Sequence, residues 1–79
     1  MPTVEVRSFA TIGTVVRLMR ERSGQNQTQA AESLNITRAY LLGIERGSQT
    51  LYMKRLLKIL KKYRIRISIT YDLPGEHHG

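Results

Sequence analysis

Residues 24–47, "GQNQTQAAESLNITRAYLLGIERG", hold two short helical periodicities separated by one tight break. Asn26 is the kind of residue that caps a helix start. After it, Gln27–Leu34 reads as a two-turn helix with Ala30, Ala31 and Leu34 facing inward. Asn35 follows, and asparagine is the non-glycine residue that best tolerates a left-handed backbone. Ile36 turns back to the core. Thr37 caps a second helix over Arg38–Arg46 with Leu41 and Ile44 inward, and Gly47 ends it. Ala31 sits where two such helices cross most closely, which demands a small side chain.

The flanks extend the pattern. Upstream, Ser8 is placed to cap a helix over Phe9–Ser23. Its stripe is Ile12, Val15, Val16, Met19 and Arg22, with Leu18 beside it and Gly24 as the stop. Downstream, Gly47–Leu51 is a loop and Tyr52–Lys62 a fourth helix. Met53, Leu56, Leu57 and Leu60 form its expected buried stripe, and Tyr63 closes it. Then "YRIRISITYD" (residues 63–72) changes period: Ile65, Ile67, Ile69 and Tyr71 alternate with polar residues, as in a strand with one apolar face. Residues 1–7 read equally as a short strand, through Val4 and Val6, or as disorder. Residues 73–79, with Pro74 and Gly75, read as a flexible tail. The organisation is thus an N-terminal segment (1–7), a helical domain (8–63), a strand (64–72) and a tail (73–79).

Composition narrows the class. Seventy-nine residues make one domain, and a chain of this size buries only about 60% of its unfolded surface, so its core is thin. There is no cysteine, which removes disulfides and thiolate metal sites and fits a reducing compartment. No apolar run nears the roughly 20 residues that span a bilayer, and no secretory leader is visible. The expectation is a soluble cytoplasmic protein. Thirteen Lys and Arg against six Asp and Glu give a net charge of +7, which favours a polyanionic partner: DNA, RNA or an anionic membrane surface.

Two short helices joined by a tight turn in a basic domain form a helix-turn-helix. Residues 24–47 resemble the phage-repressor class of these domains, the lambda repressor and Cro (XRE) type. Gln27, Ala31, Ile36, Thr37, Leu41, Ile44, Glu45 and Gly47 match its pattern. Asn35 stands in place of the usual turn glycine, and Ala30 in place of a larger aliphatic residue. The resemblance covers about residues 8–60. The order helix-then-strand at the end is similar to the HipB-type antitoxins of toxin–antitoxin operons. That likeness implies a homodimer, operator DNA and a HipA-type serine/threonine kinase toxin as partners, with autorepression of the operon. The alternative is a stand-alone or phage-type repressor without a toxin. The fold expected is mainly α: four helices of repressor type plus a C-terminal strand pairing across a homodimer.

A lone strand needs a neighbour. Three pairings are open: antiparallel self-pairing of Arg64–Asp72 across a two-fold axis, with Ile65, Ile67, Ile69 and Tyr71 at the interface; pairing within the chain to Thr3–Val6; or pairing with a toxin.

For DNA, the second helix of the motif is the reader. Thr37, Arg38, Ala39 and Leu42 are the candidate base contacts. Arg38 suits guanine O6 and N7, with a phosphate as its other reading. Leu42 meets either a thymine methyl or a packing boundary. Gly43 has no evident purpose in the sequence. Asn26, Gln27, Tyr40, Ser48, Gln49, Lys54 and Arg55 are candidate phosphate contacts, whereas Lys58, Lys61 and Lys62 read as a solvated face. The resemblance implies an ion pair between Arg20 and Glu45, with Arg20 also near phosphate. No catalytic constellation, metal cluster, cofactor motif or small-molecule site is legible, and His77 and His78 sit in the tail.

Overall fold

Each helix stops at a residue with positive φ: Gly24 (72°), Asn35 (56°), Gly47 (75°) and Arg64 (56°). In all four the same two hydrogen bonds close the end. After the last helix, Ile65 N–H reaches Leu60 O at 2.8 Å and Arg64 N–H reaches Lys61 O at 3.2 Å. These are the paired 6→1 and 5→2 bonds of the Schellman motif, which satisfy carbonyls left over at a helix end. Glycine and asparagine accept that backbone readily. Arginine does so at a cost of about 1–2 kcal/mol.

The computed structural model of the protein describes residues 1–74. Its elements are β1 (Thr3–Val6), α1 (Phe9–Arg22), α2 (Gln27–Leu34), α3 (Arg38–Glu45), α4 (Leu51–Lys62) and β2 (Ile67–Thr70). Most of the expected tail, including His77 and His78, lies outside the described residues.

Starts are fixed as locally as stops. Asn26 accepts from Gln29 N–H at 2.8 Å, and Gln29 Oε1 accepts from Asn26 N–H at 2.9 Å, a reciprocal capping box. Thr37 Oγ1 accepts from Tyr40 N–H and Thr50 Oγ1 from Met53 N–H. Thr50 moves the start of α4 one residue ahead of the expected Tyr52. Ser8 has the extended backbone of a cap but makes no side-chain cap bond.

The core is small. Ala30, Ala31 and Leu41 are the buried apolar side chains, with Val16 and Ile36 packed against them. α3 sits against both α1 and α2, and β1 lies on α1. Gly13 lets α1 and α3 approach: a Cβ there would lie 2.3 Å from Ile44 O and 2.7 Å from Glu45 O. Gly47 does the same against Ala10, whose Cα would be 2.6 Å away.

Three expectations need correction. Leu34 is exposed rather than inward; it sits at the rim of a shallow hollow with Val16, Met19 and Leu41 that no element covers among the described residues. α4 has no buried residue, and Leu56 of its expected buried stripe is exposed. The strand is shorter than 64–72, because Arg64 and Ile65 are used to end α4, and within the chain it does not stand alone. β2 pairs antiparallel with β1, Thr3 opposite Thr70 and Val6 opposite Ile67, so residues 3–6 are a strand.

The register decides which way the backbone of β2 faces. Tyr71 N–H donates to Pro2 O at 3.1 Å. Alternation then makes Val4·Ile69 and Val6·Ile67 hydrogen-bonded pairs and turns the N–H and C=O groups of Ser68 and Thr70 to the other edge. Thr3 and Thr70 form a non-hydrogen-bonded pair, where side chains come closest, and their hydroxyl oxygens are 3.0 Å apart. No strand lies beyond that other edge of β2 among the described residues.

Candidate nucleic-acid interface

The outer side of α3 is set by what its inner side must do. Leu41 is buried, Ile44 is half-buried, and Glu45 is turned into the domain. At 100° per residue this leaves Ala39, Gly43 and Arg46 at the centre of the outer face. Arg38 and Leu42 lie on one flank and Tyr40 on the other. Thr37, Arg38, Ala39, Tyr40 and Arg46 are exposed. Leu42 is half-buried, which favours the packing reading over a base contact. Thr37 has its hydroxyl oxygen engaged as the cap of α3, leaving its methyl and hydroxyl proton for other contacts.

Polar groups gather on both flanks. On the Arg38 side, Arg20, Asn26, Gln27, Thr28 and Arg38 line one hollow at the start of α2. The capping box satisfies the amides of Asn26 and Gln29, so those of Gln27 and Thr28 are the orphan donors of that helix end. On the other side, Tyr40, Ser48 and Gln49 line a groove with Ala39 and Gly43. Lys54 and Arg55 lie farther along α4, with Gln49, at the edge of another hollow. A narrow rod with cations and amide donors on both sides has the form of a groove reader anchored on two phosphate backbones.

Arg20 and Glu45 hold this head together. Arg20 Nε donates to Glu45 Oε2 at 2.7 Å and Nη2 to Oε1 at 3.0 Å, while Nη1 reaches Gln25 O at 3.0 Å. The side chains are 12% and 3% exposed. The hydrogen bond to Arg20 drives the Glu45 carboxyl below its ordinary value despite burial, which pushes the other way. The same bond raises the Arg20 guanidinium. With three N–H groups committed inside the chain, Arg20 contributes charge to the hollow it lines rather than a free fork for phosphate.

A family model described as a helix-turn-helix domain matches residues 11–65. The chain belongs to the helix-turn-helix domain family. The matched residues include α2 and α3, and the family implies DNA binding with a role in transcriptional regulation and is typically non-enzymatic. Comparison of the chain with curated proteins and with solved structures finds no match. No described helix is long and apolar enough to cross a membrane.

Residue-by-residue reading of this helix-turn-helix protein missed Thr28 and Arg46, which share the face with the expected contacts. It also missed Gly13. The signal for Gly13 was present: Ala10 and Gly13 are small residues three apart on α1, a spacing that lets a second helix come close. Of the four expected interface residues near β2, Ile69 and Tyr71 are half-buried, whereas Ile65 and Ile67 are exposed.

Proposed function

We propose that the protein is a sequence-specific repressor acting as a homodimer. It sets two copies of α3 into successive major grooves about 34 Å apart. The observation that carries the reading is the outer face of α3, exposed and nearly free of bulky apolar groups, with basic and amide-bearing hollows on either flank. Arg38, Thr37 and Ala39 are the base-facing residues. Asn26, Gln27, Tyr40, Ser48, Gln49, Lys54 and Arg55 hold the backbone. The second protomer is added through β2, whose outer edge offers the backbone groups of Ser68 and Thr70. The order α4–β2 supports a narrower role as the antitoxin of a HipBA-like operon, capturing a serine/threonine kinase toxin as well as the operator.

Gly43 supports the groove reading. It weakens α3 by up to about 1 kcal/mol, yet the chain's own packing does not need it: a Cβ would meet only Ser48 atoms, at 3.9 Å. A missing side chain at the centre of the outer face lets something else approach closely. Gly43→Ala is therefore expected to raise stability by about 0.5–1 kcal/mol and to weaken operator binding. Thermal melts and gel shifts read the two effects separately, and tighter operator binding would count against a groove contact.

The decisive experiment uses Arg38→Ala. Loss of a bidentate guanine contact costs about 1–3 kcal/mol of discrimination. We expect operator affinity to fall by that amount while affinity for random duplex changes little. Equal losses on both duplexes, with a salt slope reduced by about one, would make Arg38 a phosphate contact instead. Absence of any salt-dependent duplex binding would end the repressor reading. The antitoxin role is tested separately, by asking whether a kinase encoded beside this gene co-purifies with the Arg38→Ala chain.

A further inference from the structure

The chain exposes 6274 Å². A folded monomer of its 9.1 kDa mass is expected to expose about 4,900 Å². Granting the five residues outside the described set the full surface of an unfolded piece, about 800 Å², and taking their mass out of the expectation, which lowers it to about 4,700 Å², leaves an excess of about 800 Å². That is the area one partner contributes to a standard stable interface.

The open apolar surface has an address. On α4, Met53, Leu57 and Leu60 are half-buried against the chain. A second apolar row, Tyr52, Leu56, Ile59 and Tyr63, stands open at 77%, 41%, 53% and 66% exposure. The spacing of 4, 3 and 4 puts these four in one stripe about 60° wide. Lys54 and Lys61 are on the opposite side of the helix. Arg55 and Lys62 flank the stripe beside Ile59, and the Lys62 ammonium lies 5.7 Å from the centre of the Tyr63 ring. Along the chain, the next large apolar residues, Ile65 and Ile67, are also exposed, and Ile67 opens β2, whose outer edge is unpaired among the described residues.

We infer that the open stripe of α4 is half of an isologous interface, closed by α4 of a second copy of this chain. The inference rests on the homodimer reading above and adds to it a surface outside the strand. An isologous contact needs one patch that complements itself. An aromatic and aliphatic stripe without charge at its centre does so. A matching area, and the direct passage of the chain from this stripe into the strand read above as the dimer edge, favour a second copy over a foreign partner. The flanking Arg55 and Lys62 of the two copies then lie near one another at the rim. Self-association therefore tightens as salt rises, whereas DNA binding weakens.

Sedimentation of the full chain tests this. Ile59→Glu changes an exposed side chain and should keep its helical spectrum, yet weaken dimerisation at least 100-fold. Lys54→Glu, on the opposite side, should not weaken it. Because the chain has no native cysteine, Ile59→Cys should form an intermolecular disulfide on oxidation and Lys54→Cys should not. Ser68→Pro serves as the strand control, since its N–H faces away from β1 and the intrachain ladder survives its loss. If Ser68→Pro yields monomers while Ile59→Glu dimerises as tightly as the parent, the α4 inference fails and the strand reading stands. A parent chain that stays monomeric in high salt, at concentrations where a standard interface would assemble, overturns both; an acidic partner would then be the better occupant.

Discussion

Replacing Glu45 with alanine is expected to remove about 3–5 kcal/mol of stability, the usual loss when one partner of a buried pair is deleted. A chain of this length has only about 4–12 kcal/mol in total. The loss is large because Arg20 stays behind, 12% exposed, with two of its three internal acceptors gone. Its remaining partners, Gln25 O and the half-exposed Glu21 carboxylate at 4.0 Å, do not replace the two short hydrogen bonds to a buried carboxylate. Urea unfolding of the single and double variants measures this. The Arg20→Ala, Glu45→Ala double change should cost less than the two singles added, because no charge is left uncompensated. Additive losses would mean that the two side chains are not coupled.

The same pair predicts an acid transition. Glu45 has a folded pKa below its ordinary value, and the first cause is its hydrogen bond from Arg20. A depressed carboxyl stabilises the fold fully above its unfolded pKa, near 4.3. That stabilisation fades as pH falls through the lower folded value. Stability from this source should therefore be flat from neutral pH to about 5 and decline below it. A Glu45→Gln chain should lack this part of the decline.

Gly13→Ala is the second large effect, and its sign opposes simple helix propensity. Alanine in mid-helix is normally favoured over glycine by about 1 kcal/mol. Here the added methyl would sit 2.3 Å from Ile44 O and 2.9 Å from Glu45 C. These are main-chain atoms of the last turn of α3, so no rotamer change can clear them. α1 and α3 must part, and the Arg20–Glu45 pair stretches with them. A net loss of about 3 kcal/mol, the upper part of the range for overpacking, should appear as a lower melting temperature and weaker duplex binding. Gly43→Ala is the internal comparison: the same chemical change in a neighbouring helix, expected to move stability the other way.

The helices were legible because their ends are written in single residues. Asn26, Thr37, Gly24, Asn35 and Gly47 act on backbone groups within three or four positions, so α1 to α4 fall within a residue of the expected bounds. The exposed face of α3 followed from the same periodicity. What could not be read required a partner distant in sequence. Gly13 looks like any helical glycine until the carbonyls of Ile44 and Glu45 arrive. The alternation at Ile67–Thr70 announces a strand and its apolar face, but not that its neighbour is Thr3–Val6. Leu56 fits a buried stripe by spacing, and only the absence of a covering element among the described residues leaves it open.

The pairing of β1 with β2 also fixes an order of assembly. About sixty residues separate the two strands, and joining ends that far apart costs about 3.6 kcal/mol in chain entropy alone, by the logarithmic rule for loops. Four residue pairs cannot repay that unless the intervening rods have already shortened the path. The ribbon is thus a latch that clicks only after the bundle has formed, and it should be the first part to let go. Amide exchange would see it open while the helices are still shut.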